Sequence, residues 1–534
     1  MKKNIFKIVI IIVCFVFVLV VALKKPELSF ENASEQKEEG TEEMQTPESL
    51  TSEEEEAQVE TPQIDLVSNP ELRVLIKSGD FSKDIHETVK VSSDEDFTLL
   101  GEDGTVLAEY NAWEIVNLDS FQLKENETLI FDSEGTITLH SLTRAQGTPS
   151  YYGKIQIYKE AEGYTVINIV PMEEYLLTVV PSEMLSTYPL EALKAQAVCA
   201  RSYAYHYVLG EPALPRNAHM NDSTDYQVYN NIQETESTNL AVQETEGMIL
   251  VKDGMPVPTY FFSTSCGFTT NETVWKEYFG GKEWEDGEVP TVAYKVGWTE
   301  DEHDVSFAPI AVAKPEAVEA ISTDSGVGIL YTADALTQEA NFRAYMNSDA
   351  SDFLENEEQW YRWTYQGTIT SEELEKRLIA RYAVRPDLIL TYDKTNESYV
   401  NQEIDSVGTI TNIEVVRRLP GGVADELLIE TDKDTYLVIG EYNIRYVLSD
   451  GVSEVIRNDG SAVTVSNLLP SAYFIIEPET KSSDTIGTIV LSGGGYGHGV
   501  GMSQNGAKQA ALNGMTCEEI LGLFYSGLEL KEVK

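Results

Sequence analysis

VVPSEMLSTYPLEALKAQAVCARSYAYHY, Val179 to Tyr207, sets one carboxylate, Glu183, just ahead of a helix that has to be buried. Thr187 or Tyr188 suits the cap, Pro189 the first helical position, and Glu191 the positive end of the macrodipole. At about 100° per residue Leu193, Ala197, Ala200 and Ala204 share a face, with Gln196 and Tyr203 on its flank. Alanines at that spacing let another backbone approach closely, so this helix is expected inside the protein. Glu183 falls in the loop Pro181 to Tyr188, between the apolar run Leu176 to Val180 and the helix. Met184, Leu185 and Tyr188 around it would desolvate the carboxyl and raise its pKa, as a general acid near neutral pH requires. Loop carboxylates are also often only structural, and this one stretch does not choose between the two.

The rest of the chain supplies the frame. Its 534 residues allow two to four domains. Lys+Arg 38 against Asp+Glu 89 gives a net charge of -51, which repels phosphate backbones and excludes nucleic acid as a natural partner. Much of that charge is near the start, where Pro26 to Glu60 holds thirteen Glu and one Lys among Pro, Ser, Thr and Gln. Such a composition buries no core and is expected to form a disordered, self-repelling linker over residues 26–64. Ahead of it Ile8 to Leu23 is uninterruptedly apolar between Lys2, Lys3, Lys7 and Lys24, Lys25. It rises roughly 24 Å, short of the hydrocarbon core but within reach of snorkelling lysines. No A-x-A-like cleavage site precedes Lys24, so residues 1–25 are read as an uncleaved membrane anchor rather than a signal peptide.

From Leu72 short alternating strands follow one another: ELRVLIK, FTLLGEDGTVLAEY, ETLIFDSEGTITLHSL and YYGKIQIYKEAEGYTVINIV. Their Glu-Asp-Gly and Ser-Glu-Gly turns fit hairpins. Beyond the helix come His219, Asp225-Tyr226-Gln227 and a strand region, Met248 to Ser265, that contains Ser263 and leads into TYFFSTSCGFTTNETVWKEYF. Aromatics and hydroxyls in that density suit a sugar-binding groove, and suit an ordinary core equally. Residues 290–401 read as an insertion of mixed helix and loop, with a helix Ile369 to Ala383 capped by Thr370 or Ser371. Strands are expected again in VGTITNIEVV, DELLIETDKDTYLVI and IRYVL. The end, LSGGGYGHGVGMSQNGAKQAALNGMTCEEILGLFYSGLEL, has a glycine loop around His498 where backbone must approach something closely. A helix Ser503 to Leu512 follows, stopped by Asn513-Gly514, then a capping box Thr516/Glu519. His498 fits beside a substrate or as a buried structural histidine. The fold class is α+β: a β-rich body with a small helical catalytic lobe, preceded by a transmembrane helix and the acidic linker.

Glu183 with EALKAQAVCARSYAY, the DYQVY run, and GGGYGHGVGMSQNGAKQAALNG with EEIL downstream resemble the sporulation stage II protein D and amidase-enhancer family. Trp360-Tyr361-Arg362-Trp363 and Gly408 to Leu448 fit too, so residues 65–534 are read as one such domain carrying the insertion. The resemblance implies peptidoglycan as substrate and lytic transglycosylase activity between N-acetylmuramic acid and N-acetylglucosamine, with Glu183 as the catalytic glutamate. One carboxyl suffices for that reaction, unlike two-carboxylate glycosidases. The same resemblance implies an alternative, a non-catalytic partner that enhances a cell-wall amidase. A purely structural wall-binding role has no use for the carboxylate. Lys194 and Arg201 are candidates for the lactyl carboxylate of muramic acid. With Gln196, Tyr203, Gln227, Ser263, His498 and Gln504 they make up the expected substrate-binding set. Some relatives carry a His/Cys zinc cluster after the helix, but His219 has no neighbouring Cys here, so neither metal nor cofactor is expected. Cys199 and Cys266 stand where small residues are expected; with Cys517 at least one thiol stays unpaired, and a Cys199–Cys266 bridge remains open.

The anchor and linker together place the domain outside the cell, facing the wall on a coil of about forty residues that spans roughly 35 Å. Cell fractionation with sequencing of the mature N-terminus should find a membrane-bound protein that retains Ile8 to Leu23. A soluble protein beginning after Leu23 contradicts the anchor.

Overall fold

A computed structural model describes residues 66–275, 306–314, 331–348, 350–465, 467–477 and 488–534, with two strand pieces at Glu277–Tyr278 and Tyr294–Lys295. The expected anchor and acidic linker lie outside the described residues. Among the described residues no helix is long and apolar enough to cross a membrane. The architecture is mixed α+β and rich in strands.

The chain begins with strands β1 (Glu71–Ile76), β2 (Lys90–Ser93), β3 (Phe97–Gly101), β4 (Val106–Tyr110), β5 (Val116–Asn117), β6 (Thr128–Ser133), β7 (Ile137–Leu139), β8 (Ser150–Tyr151), β9 (Lys154–Lys159) and β10 (Tyr164–Pro171). A seven-stranded sheet runs Met220–Asn221, β1, β10, β9, β6, β3, β4, and a four-stranded sheet runs β5, β2, β7, β8. Alternating side chains from both sheets, Val74, Phe131 and Val166 from one and Val91, Ile137 and Leu139 from the other, fall into one buried cluster. The Glu102-Asp103-Gly104 turn does close a hairpin, with Asp103 accepting from Thr105 N–H at 3.0 Å. The Ser133-Glu134-Gly135 turn does not. There Thr136 exchanges backbone and side-chain hydrogen bonds with Asp94, at 2.6 Å to the carboxylate, and the chain crosses from the larger sheet to the smaller.

Three helices follow: α1 (Met172–Glu183), α2 (Leu190–Leu209) and α3 (Glu236–Glu244). The apolar run before Glu183, read as the lead-in to a loop, is helical, and the helix continues through Pro181. A proline that close to the end forfeits a single backbone bond, and Ser182 Oγ donates to Thr178 O at 2.5 Å beside it. Glu183 is therefore the last residue of α1 rather than a loop residue. Pro189 serves as the N-cap of α2, with no side-chain cap from Thr187 or Tyr188. Nor is α2 buried on one face alone. Ala197, Ala200 and Ala204 pack into the core of the two sheets, while Leu193, Ala195, Val198 and Cys199 pack into a second core built by the rest of the chain.

That second core is covered by two five-stranded sheets and the helices α4 (Glu339–Met346), α5 (Ser371–Val384) and α6 (Glu441–Leu448). Thr370 caps α5 as expected, its Oγ1 accepting from Glu373 N–H at 3.1 Å. IRYVL, read as a strand, belongs instead to α6. Gly440 at φ 87° turns the chain, and Ile444, Val447 and Leu448 bury one helical face while Glu441 pairs with Arg445 one turn on. The chain closes with α7 (Gln504–Leu512), capped by Ser503, and α8 (Cys517–Phe524), whose Thr516/Glu519 capping box is present. The glycine loop before α7 is tight for a steric reason: a Cβ on Gly501 would stand 2.0 Å from Tyr260 O. Cys199, Cys266 and Cys517 are all free and buried, so the Cys199–Cys266 bridge left open by the sequence does not form.

One buried carboxylate clamps the two ends of this second half together. Glu355 is fully buried and accepts from Ser265 N–H at 3.0 Å, from Ser265 Oγ, and from Ser503 Oγ at 2.5 Å. Ser503 in turn accepts from Gly506 N–H as the cap of α7. Three donors converge on this carboxylate, and only Ser503 Oγ has a second acceptor, Ser263 O at the long distance of 3.5 Å, so truncation is costly. Glu355→Ala should lose about 3 kcal/mol in urea unfolding, and Glu355→Gln clearly less. Equal stability of Glu355→Ala and the parent would show that the clamp carries no load.

Candidate active site

Glu183 is presented by the end of α1 and held at two atoms. Its Oε1 accepts the backbone N–H of Val228, and its carbonyl oxygen accepts Gln504 Nε2 at 3.0 Å. The segment bringing Val228 is nailed down behind it. Gln227 Oε1 accepts the Tyr175 hydroxyl at 3.2 Å, its Nε2 donates to Ala200 O at 3.3 Å, and Tyr229 donates to Asn168 Oδ1 at 2.7 Å. Glu183 is half-buried, and burial pushes its pKa up from the ordinary 4.5 to about 7, with the Val228 N–H pulling the other way. A carboxylate at a helix C-terminus also meets the negative end of the macrodipole, which favours the protonated form.

The carboxyl opens on a cavity of about 880 Å³. Rings run along its wall in an unbroken contact chain. Tyr226 meets Tyr207 at 5.1 Å, Tyr207 meets Tyr203 at 4.9 Å, and Tyr203 meets Tyr260 at 5.6 Å. Tyr260 meets Trp275 at 4.5 Å, and Trp275 meets His498 at 5.2 Å. Aromatic faces with hydroxyl edges suit the apolar faces and polar rims of pyranose rings. His498 accepts Val500 N–H on Nδ1 at 3.0 Å. Burial, with the Arg445 charge second, lowers its pKa to about 4, so the ring is neutral at physiological pH and its other nitrogen carries the proton.

The other carboxylates of the wall are accounted for differently. Glu441 is paired with Arg445 at 2.9 Å, Asp225 lies 3.4 Å from Lys77 Nζ, and Asp80 is exposed. Of the residues expected to bind substrate, the fold brings Tyr203, Gln227, His498 and Gln504 to the cavity with Glu183. Lys194 does not reach it, being paired with Glu191 at 2.8 Å and Glu244 at 2.5 Å. Arg201 is fully buried, forked onto Glu173 at 2.8 and 2.7 Å, because a helix buried on all sides has to neutralise its one guanidinium within the protein. Gln196 lies behind Gln504 at 3.4 Å, and Ser263 bonds its neighbour Thr264 away from the cavity. Sequence reading missed Tyr207, one turn after Tyr203 and detectable from that spacing, and Arg445, for which nothing in the sequence stands out. His219 accepts Arg73 N–H at 3.2 Å, a structural bond. Among the described residues no group of three or more His, Cys, Asp or Glu could hold a metal ion.

Residues 160–251, which carry Glu183, α2 and Gln227, match the family described as Stage II sporulation protein. The match covers that segment of the chain. Residues 315–501 match a domain of unknown function (DUF8618). Stage II sporulation protein D of Bacillus subtilis is 38% identical over 136 residues, 23% of this chain and 39% of the relative. The amidase enhancer of the same organism is 24% identical over 355 residues, 66% of this chain and 39% of the relative. An uncharacterized protein of Brachyspira hyodysenteriae is 35% identical over 147 residues, 27% of this chain and 37% of that protein. The chain spans less than half the length of each. The cavity joins the stage II sporulation segment to the second matched segment, which supplies α6 and His498.

The raised pKa of Glu183 has a measurable consequence for stability. Its folded value, about 7, exceeds the ordinary 4.5, so folding opposes ionisation. The penalty is absent below about pH 4.5, grows between the two values and is complete above about 7. Glu183→Gln removes it. The variant should therefore melt above the parent at pH 8, by up to about 3 kcal/mol, with the gap closing at pH 4. A gap independent of pH would contradict the raised pKa.

Proposed function

We propose that the chain cuts the glycan strands of peptidoglycan between N-acetylmuramic acid and N-acetylglucosamine as a lytic transglycosylase, with Glu183 as general acid and then base. The observation that carries this reading is the Glu183 carboxyl, protonated up to about pH 7 on the wall of an aromatic-lined cavity whose other carboxylates are ion-paired or exposed. The stage II sporulation match supports a cell-wall role.

Glu183 donates its proton to the glycosidic oxygen as the C1–O bond breaks. The C6 hydroxyl oxygen of the same muramic residue then bonds C1, and its proton passes to the ionised Glu183. The carboxyl is regenerated, a 1,6-anhydro ring is closed, and no water is consumed. The Val228 N–H stabilises the carboxylate during the interval in which it is charged, and Gln504 keeps its backbone in place. The aromatic wall, with the neutral His498 ring at its end, holds the sugar faces. A second reading, an enhancer that binds a cell-wall amidase, is favoured by the 66% of the chain that aligns with the amidase enhancer. In either reading the domain works outside the cell, anchored by its N-terminal segment and facing the wall.

Digestion of purified glycan strands in heavy-oxygen water, with mass analysis of the ends, tests the reading. The native protein should yield ends lighter than hydrolytic ones by one water and free of label, and a folded Glu183→Gln variant should yield none. Labelled reducing ends would mean hydrolysis, and full cleavage by Glu183→Gln would remove Glu183 from the mechanism. Stimulation of an amidase without glycan cleavage would favour the second reading.

A further inference from the structure

Part of the cavity wall comes from the segment that matches a domain of unknown function. Helix α6 and the turn at 467–470 lie in that segment, and both face Glu183's cavity. Besides the Glu183 carboxyl, the described wall carries three acidic side chains, Asp80, Asp225 and Glu441, and one cationic side chain, Arg445. A ligand bearing carboxylates is repelled along most of such a wall and accommodated at one place.

Arg445 is built for contact rather than long-range attraction. Its Nε donates to Leu469 O at 2.9 Å, Nη1 to Glu441 Oε2 at 2.9 Å and Nη2 to Pro470 O at 3.3 Å. A guanidinium has five N–H groups, so two are left without a partner among the described residues. The Glu441 side chain, 5% exposed, cancels the charge at a distance and leaves the fork itself. The anchorage is shared with the site: Pro470 O also accepts Gly497 N–H at 3.0 Å, beside His498. A fork fixed at three corners takes a planar anion with little further loss of freedom.

We propose that Arg445 determines specificity, its two remaining N–H groups taking the free carboxylate of an acidic amino sugar in the cavity, so that the segment of unknown function selects strands with unmasked carboxylates. This rests on the glycan-cutting reading and adds to it the residue that reads the acid, a role the buried Arg201 and the paired Lys194 are not placed to fill.

The test uses the full chain and one preparation of purified glycan strands, half of it converted to neutral methylamides at the lactyl carboxylates. The native protein should cleave the acid strands with a kcat/KM about tenfold or more above the amidated strands, the weight of one charge-assisted contact. Arg445→Gln should bring that ratio close to one. Arg445→Lys, which keeps the charge and loses the fork, should fall between. No discrimination by the native protein, or an unchanged ratio in folded Arg445→Gln, overturns the proposal. Should Arg445→Gln prove unfolded by near-ultraviolet circular dichroism, an unchanged ratio in Arg445→Lys overturns the fork and a reduced one upholds it. If the native protein cleaves neither strand, the glycan-cutting reading fails by itself. Trp275 fluorescence then decides by binding: tighter binding of acid strands to the native protein than to Arg445→Gln supports Arg445, and equal binding refutes it.

Discussion

A guanidinium on a helix buried from all sides must find its counter-charge inside the protein, and Arg201 finds Glu173. The fork between them ties the middle of α2 to the first turn of α1, with Thr245 Oγ1 at 3.5 Å and Met248 O at 3.2 Å taking further N–H groups. Breaking such a pair by removing one partner leaves a buried charge exposed to nothing, at about 3–5 kcal/mol. Because α1 is a single rigid element, fixing its start fixes its end, where Glu183 sits. The alanines of α2 make the arrangement sterically feasible, since they let the sheet core on one side and the second core on the other approach the same helix.

Two separately matched parts of the chain meet at the resulting cavity. The stage II sporulation segment brings the carboxyl, the Gln227–Val228 turn that stabilises it and the tyrosines Tyr203, Tyr207 and Tyr226. The second segment brings His498, Arg445 and the turn that holds both. Gln504, just beyond it, connects them through the Glu183 carbonyl. Glu355 and the Ser265 and Ser503 hydroxyls secure that connection from behind. The charge logic is local throughout: a chain of net charge -51 keeps one carboxyl protonated by desolvating it, and pairs or exposes the other acids around it.

What could be read beforehand followed from short-range rules. The Glu102-Asp103-Gly104 hairpin, the cap at Thr370, the Thr516/Glu519 capping box and the burial of α2 all rest on patterns within a few residues. Glu183 was legible as a candidate because a long motif surrounds it, while its place on α1 was not, because Pro181 reads as a breaker although the helix runs two residues past it. IRYVL has strand composition; its helical state depends on Gly440 and on which face of α6 meets the second core. Arg201 looked free because its partner Glu173 lies on another helix, and Lys194 because Glu244, which completes its pairing with the nearby Glu191, does too. Arg445 was invisible for the converse reason: its importance comes from a cavity assembled by segments far apart in the chain.

The account rests on the protonation state of one group, and that state can be read directly. Carbon-13 labelling of the glutamates, with Glu183 assigned by comparison with Glu183→Gln, follows its carboxyl resonance through a pH titration of the folded protein. The account predicts a midpoint of about 7, well above the ordinary 4.5. A Glu183 carboxyl that titrates near 4.5 in the folded protein would leave no proton to donate at neutral pH, and would contradict it.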